Sequence, residues 1–187
     1  MVVGLHHSAD GCRTADRDGK SAAAIRLDHG GEPAPSGLAA FQGVKRRQEV
    51  RGTAGGVTVV DDFAHHPTAI RLDLETLRAK HPGARIRALF EPRSNTLRRA
   101  IFQAALPGAF AAADEVIVGP VHRAAGLADD ERLDPVRLAA DIAATGRTAR
   151  QCDDIAEIIK SVLADVRAGD VIAVLSNGAF GGLIPLL

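Results

Sequence analysis

The sequence predicts an α/β fold, a Rossmann-like and mainly parallel sheet with helices on both faces and an antiparallel N-terminal hairpin at one edge. Three observations predict it. From Phe41 onward, short β-type runs alternate with segments of helical period, the pattern of strands joined by crossover helices. The run VIAVLS, Val171 to Ser176, is nearly all apolar without alternation, as a strand covered on both faces has to be. Near the front, Gln48 to Gly52 and Val57 to Val60 flank the stretch TAGG, a glycine-containing hairpin connection.

Residues 1–40 carry Gly, Asp, Ser, Arg and Pro without apolar periodicity, and EPAPSG (Glu32 to Gly37) reads as linker. They are expected to form a poorly ordered leader or linker, with one short strand around Ala23 to Leu27, ahead of a domain over residues 41–187. After the hairpin, Pro67 suits a first helical position. Ile70, Leu74 and Leu77 share a face, so a helix is expected to Lys80. HPG at His81 to Gly83 stops it, and Arg85 to Glu91 is the next strand. A helix is then expected from Thr96 or Leu97 to Ala113, kinked or split at Pro107, which lacks an amide donor and crowds the preceding turn. Glu115 to Gly119 is a strand, followed by a polar loop to Leu133. Asp134-Pro135 then opens a helix to Thr145 as cap and first-turn residue. A weak strand, RTARQC, precedes the clearest helix, Asp154 to Val166, in which Ile155, Ile158, Ile159, Val162 and Val166 make one apolar stripe. VIAVLS closes the series and runs into NGAFGG.

Composition narrows the function classes. The 187 residues balance 23 basic against 23 acidic side chains, so overall charge supplies no reason to expect nucleic acid or an anionic membrane as partner. With six Phe and no Trp or Tyr, stacking platforms for single-stranded nucleic acid are scarce. No apolar run approaches the roughly 20 residues that span a bilayer, and MVVGLHHSADGC lacks the basic-then-apolar order of a secretory signal. Cys12 and Cys152 have no CxxC partner and are expected as free thiols in a reducing cytoplasm.

In open parallel sheets ligands sit beyond the carboxyl ends of the strands, which marks DDFAHHP, FEPRSNT, the loop after IVGP, and SNGAFGG. In DDFAHHP the adjacent His65 and His66 are poorly placed to chelate one ion, and no metal is expected. The stretch is either a plain strand-to-helix turn or a ligand loop whose acid accepts ribose hydroxyls and whose histidine meets an anion or carboxylate. Arg93, Ser94, Asn95 and Thr96 suit a carboxylate or phosphate at a helix start, or simply cap that helix. Lys45, Arg46 and Arg47 are solvent-facing charge or a phosphate contact at a domain junction. SNGAFGG allows close backbone approach but is not a GxGxxG. The sequence holds no GxxxxGK[ST] phosphate loop, no GxSxG elbow, and no cysteine in a recognisable nucleophile context.

Taken in order, GVKRRQEVRG, VTVVDDFAHHPTAI, ALFEPRSNTLRR and VLSNGAFGG resemble the C-terminal domain of Mur ligases, closest to the murein peptide ligase branch, across Phe41 to Leu187. The resemblance implies an ATP- and Mg²⁺-dependent amide-bond ligase of murein recycling. It would join L-Ala-γ-D-Glu-meso-diaminopimelate to UDP-N-acetylmuramate through an acyl phosphate. It also implies residue roles: Arg47, Asp62 and Phe63 toward ATP, and His65 toward the incoming amine. Arg93, Ser94 and Asn95 would line the tripeptide pocket, with Ser176 and Asn177 as further candidates there. Residues 1–40 do not look like the end of a Mur central domain. The Mg²⁺ ligands and the phosphate loop belong to that domain, so no complete catalytic set is expected in this chain, and activity alone is not expected. The alternatives are a stand-alone peptide- or nucleotide-binding module, or the C-terminal domain of a UDP-N-acetylmuramate–L-alanine ligase. EPRSNT stands against the last.

Overall fold

The computed structural model describes residues 43–187; the leader expected over 1–40 and the strand expected near Ala23 to Leu27 lie outside the described residues. One sheet is built from β1 (Glu49–Ala54), β2 (Val57–Asp62), β3 (Ile86–Phe90), β4 (Glu115–Val118), β5 (Thr148–Gln151) and β6 (Val171–Leu175). The helices are α1 (Pro67–Lys80), α2 (Leu106–Ala109), α3 (Pro135–Ala144) and α4 (Ile155–Leu163). The spatial order is β1-β2-β6-β3-β4-β5, antiparallel at the β1–β2 hairpin and parallel elsewhere. The last strand therefore inserts between the second and third.

Alternation along the strands explains why both faces need cover. Ile86, Ala88 and Phe90 of β3, with Val171, Ala173 and Leu175 of β6, pack with Ile70, Leu74 and Leu77 of α1 and Leu138 and Ile142 of α3. Leu89, Ile172 and Val174 point the other way, onto Ile158 and Val162 of α4 and onto Phe180 and Leu183 near the C-terminus.

Local signals account for most helix ends. The ring of His66 caps α1, its Nδ1 accepting from the Thr68 N–H at 3.2 Å, and Pro67 opens the helix. Asp154 caps α4 by accepting from the Glu157 N–H at 2.8 Å, while the Glu157 carboxylate reaches back to the Asp153 N–H. This helix ends at Leu163, short of the expected Val166, where the buried Arg87 guanidinium takes the carbonyls of Ser161 and Val162.

One expected element is absent. In place of a helix from Thr96 to Ala113 the chain makes turns, a 3₁₀ turn at Ala100–Phe102, and the single-turn α2, which Pro107 opens. Arg99 is extended (φ −101°, ψ 156°) and forms an antiparallel bridge with Arg132. The Ala100 N–H donates to the Glu131 carbonyl and the Leu133 N–H to the Arg98 carbonyl. Backbone groups engaged with a distant segment are not available to a helical ladder, so tertiary pairing overrides local propensity here.

Because β2, β6, β3 and β4 run parallel, their carboxyl ends open on one edge. Backbone bonds stitch those ends together: Ser176 N–H to Asp62 carbonyl (3.0 Å), Glu91 N–H to Leu175 carbonyl (3.0 Å), Gly119 N–H to Phe90 carbonyl (2.9 Å). The four loops marked from sequence begin at this edge.

Candidate functional site

The segment entering β1 forms one side of the edge. Arg46 and Gln48 both adopt left-handed backbone (φ 58° and 49°), uncommon for residues with a side chain. The bend turns Arg46 inward. Its Nη2 donates to the carbonyls of Ser176 (2.5 Å) and Gly178 (2.7 Å), and its Nε lies 3.3 Å from the Asp61 carboxylate. The Phe63 N–H donates to the Arg46 carbonyl at 2.8 Å. Arg46 thus ties the entering segment to both DDFAHHP and SNGAFGG. Arg47, the residue singled out in the sequence, is exposed, with its guanidinium over the Phe63 ring at 5.6 Å. The run KRR contains no signal to separate the two arginines; the left-handed turn does so.

Asp62 is fully buried, one oxygen accepting from the Gln48 N–H (2.8 Å) and the other from the Ala64 N–H (2.7 Å). The two histidines diverge. The Phe63 carbonyl can only accept, so the His65 Nδ1 at 2.9 Å donates, and in the neutral ring this leaves the lone pair on Nε2. His66 spends its Nδ1 on the helix cap and packs edge-on against Phe102. Among the described residues, no three His, Cys, Asp or Glu side chains converge as a metal site.

Asp73 of α1 faces Asp62. Burial and that neighbouring carboxylate push its pKa up to about 6, against partial relief from Gln48 and Arg47. A raised carboxyl pKa means that the folded state holds the proton more tightly than the unfolded chain. Stability should therefore rise as pH falls from about 6 toward about 4, the unfolded value. Asp73→Asn is expected to raise the thermal midpoint at pH 7.5 and to remove this slope. Identical midpoint-against-pH curves for variant and parent would contradict the assignment.

The other side of the edge gathers charged groups from three loops. Glu91 is buried and accepts a short hydrogen bond from the Ser176 hydroxyl. Its other oxygen lies 3.4 Å from Arg93 Nη1, which is also 3.3 Å from His122 Nδ1. The Arg93 side chain crosses directly over Gly178, where a Cβ would run into Nε. Only glycine there leaves this path open. Among the described residues Arg93 uses only Nη1, leaving Nε and Nη2 as a donor edge. In the residue preceding Gly178, the Asn177 Oδ1 is buried without a partner among the described residues.

Ser176 is buried, its hydroxyl shared between Glu91 and the Gly178 N–H. Ser94 accepts from the Leu97 N–H at 3.0 Å and Asn95 from Arg98 at 2.9 Å, so both shape the turn after Arg93. The structure thus brings Arg93 and Ser176 together on Glu91, adds His122, and sets Ser94 and Asn95 at the turn behind Arg93; it shows no contact from the Asn177 side chain to this group among the described residues. His122 escaped the sequence reading because the loop after IVGP has no local pattern.

A family profile, Mur ligase, glutamate ligase domain, matches residues 46–178. The chain is 38% identical over 184 residues to the UDP-N-acetylmuramate–L-alanyl-gamma-D-glutamyl-meso-2,6-diaminoheptandioate ligase of Escherichia coli (strain K12), covering 97% of this chain and 36% of that protein. That coverage includes most of residues 1–40, which sequence reading had set apart from the family. It is 33% identical over 171 residues to the UDP-N-acetylmuramate–L-alanine ligase of Nocardioides sp. (strain ATCC BAA-499 / JS614), covering 91% and 38%. The chain therefore spans about a third of the length of these curated relatives. Among solved structures, the murein peptide ligase of Psychrobacter arcticus 273-4 superposes with TM-score 0.68 at 31% identity, covering 81% of this chain and 31% of that one. A domain from Haemophilus ducreyi 35000HP, assigned to the same ligase class and crystallised as a domain, matches with TM-score 0.59 at 33% identity, over 75% and 96%.

Proposed function

This chain belongs to the Mur ligase family, and on that premise we propose that it is the C-terminal domain of a ligase joining L-Ala-γ-D-Glu-meso-diaminopimelate to UDP-N-acetylmuramate in murein recycling. Its part is to hold the incoming tripeptide and to complete one side of the ATP site. The observation that carries the reading is the Nε/Nη2 edge of Arg93, which lies above Gly178 without a partner among the described residues. A guanidinium edge suits a carboxylate, and the free end of meso-diaminopimelate carries one.

The His65 Nε2 lone pair suits the incoming amine. Arg47 and Phe63 are accessible enough to meet a nucleotide, whereas Asp62 is not, being buried with both oxygens on backbone N–H groups. In this reading Asp62 acts by holding the Gln48 turn and the backbone around Phe63. ATP and Mg²⁺ supply carboxylate activation, which requires the phosphate loop and metal ligands of a Mur central domain. The whole enzyme would work in the cytoplasm. No helix among the described residues is long and apolar enough to cross a membrane.

Titration calorimetry tests the pocket. The chain should bind the meso-diaminopimelate tripeptide, and should bind the L-lysine tripeptide, which lacks the second carboxylate, more weakly by about tenfold or more. Arg93→Ala, with its circular dichroism unchanged, should erase that difference. Equal binding of the two peptides by the parent chain would defeat the carboxylate role. Preference for L-alanine over both would favour the UDP-N-acetylmuramate–L-alanine ligase reading, for which the Nocardioides likeness is the supporting observation.

A further inference from the structure

His122 lies in the loop after β4, within hydrogen-bond reach of the proposed peptide anchor, and it adds a neutral acceptor beside the Glu91 carboxylate. A guanidinium has donors only. The 3.3 Å approach of Arg93 Nη1 to His122 Nδ1 is therefore favourable only when Nδ1 carries a lone pair, which puts the ring proton on Nε2. Glu91 meets Nη1 as well, through Oε1 at 3.4 Å, while its Oε2 takes the Ser176 hydroxyl. The loop holds the imidazole in place through its backbone. The His122 N–H donates to the Pro92 carbonyl at 3.1 Å, and Arg98 reaches the Arg123 carbonyl at 3.3 Å. Arg123 itself is left-handed (φ 49°), a conformation that costs energy in a residue with a side chain and is held by its surroundings.

From this geometry we propose that neutral His122, as its Nε2–H tautomer, is a positioning residue that sets the Arg93 guanidinium for carboxylate capture, making that capture sensitive to pH. The inference rests on the peptide-pocket reading for its ligand but not for the contact itself.

The groups facing His122 decide the sign. Arg93, Arg98 and Arg123 oppose a charge on the ring, and Glu91, 4.0 Å away, favours one. Burial comes first and the arginines add to it, so the pKa lies below the ordinary histidine value. The ring is neutral at neutral pH. Acidification protonates Nδ1, removes the acceptor and places two cations side by side. Arg93 should then swing away from Gly178.

Two readouts separate this inference from the peptide assignment. In ¹⁵N spectra of the chain, His122 should show the Nε2–H tautomer at pH 7.5. The Arg93 side-chain signals should shift with the His122 titration, and should lose that response in His122→Leu. In calorimetry with the meso-diaminopimelate tripeptide, His122→Leu should weaken binding about tenfold at pH 7.5. His122→Asn, which keeps an acceptor but does not titrate, should retain affinity and bind equally between about pH 5 and 7. Arg93 signals indifferent to both His122 variants would overturn the proposal, as would affinity in His122→Asn no better than in His122→Leu. Arg93 signals that follow His122 in a chain that binds no tripeptide would uphold the positioning role and sink the peptide reading alone.

Discussion

Replacing Arg87 with Met is expected to cost about 3 kcal/mol of folding free energy, toward the low end of what breaking a buried ion pair costs. Arg87 is fully buried in β3. Its Nε meets Glu115 at 2.6 Å, its Nη1 donates to the Val162 carbonyl at 2.9 Å, and its Nη2 lies 2.9 Å from Asp165. Methionine fills the space but leaves Glu115 buried and the last carbonyls of α4 without donors. Glu115 keeps one partner, Arg150 at 2.6 Å, which is why the lower end applies. Urea denaturation followed by circular dichroism measures the loss as a lower midpoint at constant slope. The double variant Arg87→Met, Glu115→Leu should recover part of it, because removing both charges also removes their desolvation cost. The helix carbonyls stay unpaired, so recovery should be incomplete. A loss below about 1 kcal/mol in the single variant would show that water or Lys/Arg neighbours replace Arg87, contrary to its burial.

Arg46→Ala is expected to cost about 2 kcal/mol, the scale of losing hydrogen bonds from a charged donor, and to loosen the loop after β6. Arg46 gives two short bonds to the carbonyls of Ser176 and Gly178 and faces the buried Asp61. Without it Asp61 loses the one cation that meets it among the described residues, and the glycine-rich loop loses its tie to the segment entering β1. Amide exchange at Gly178 and Ala179 should accelerate, while exchange in β3 and β6 follows only the global loss. Arg46→Lys should not rescue the loop, because a single ammonium cannot serve both carbonyls and the carboxylate with the guanidinium's fork geometry. Unchanged protection of the loop in Arg46→Ala would refute the clasp.

Much of the architecture was legible because its causes are local. Pro67 with the spacing of Ile70, Leu74 and Leu77 located α1, and the TAGG connection located the hairpin, whose observed turn lies at Gly55 and Gly56. The rule that ligands sit beyond parallel strand ends picked out the stretches that do meet at one edge. The missing helix before β4 shows the limit of that approach. Leu97 to Ala113 has acceptable helix formers, yet Arg99 is drawn out to pair with Arg132, 33 positions on. In RIRALFE, likewise, alternation alone would turn Arg87 toward solvent, but α4 covers that face and makes it the most deeply buried arginine among the described residues.

The site divides in the same way. Arg93 and Asn177 were identifiable as polar residues at strand ends, and the fold carries Arg93 across Gly178, the residue after Asn177. Ser94 and Ser176 were nominated on the same ground, yet their hydroxyls serve the Leu97 N–H and the Glu91 carboxylate. His122 and Arg46 stood out only once the chain was folded.

By itself the sequence determined the order of the strands and of α1, α3 and α4, the hairpin, and the loops that carry polar side chains, because each depends on residues within a turn or two of one another. Only the tertiary structure decided which arginine turns inward, which serine is already spoken for, and which histidine meets Arg93. Those outcomes rest on contacts such as Arg46 with Ser176, 130 positions apart, whose strength comes from shared burial and directed hydrogen bonds at a sheet edge, and neither is encoded in any short stretch of the chain.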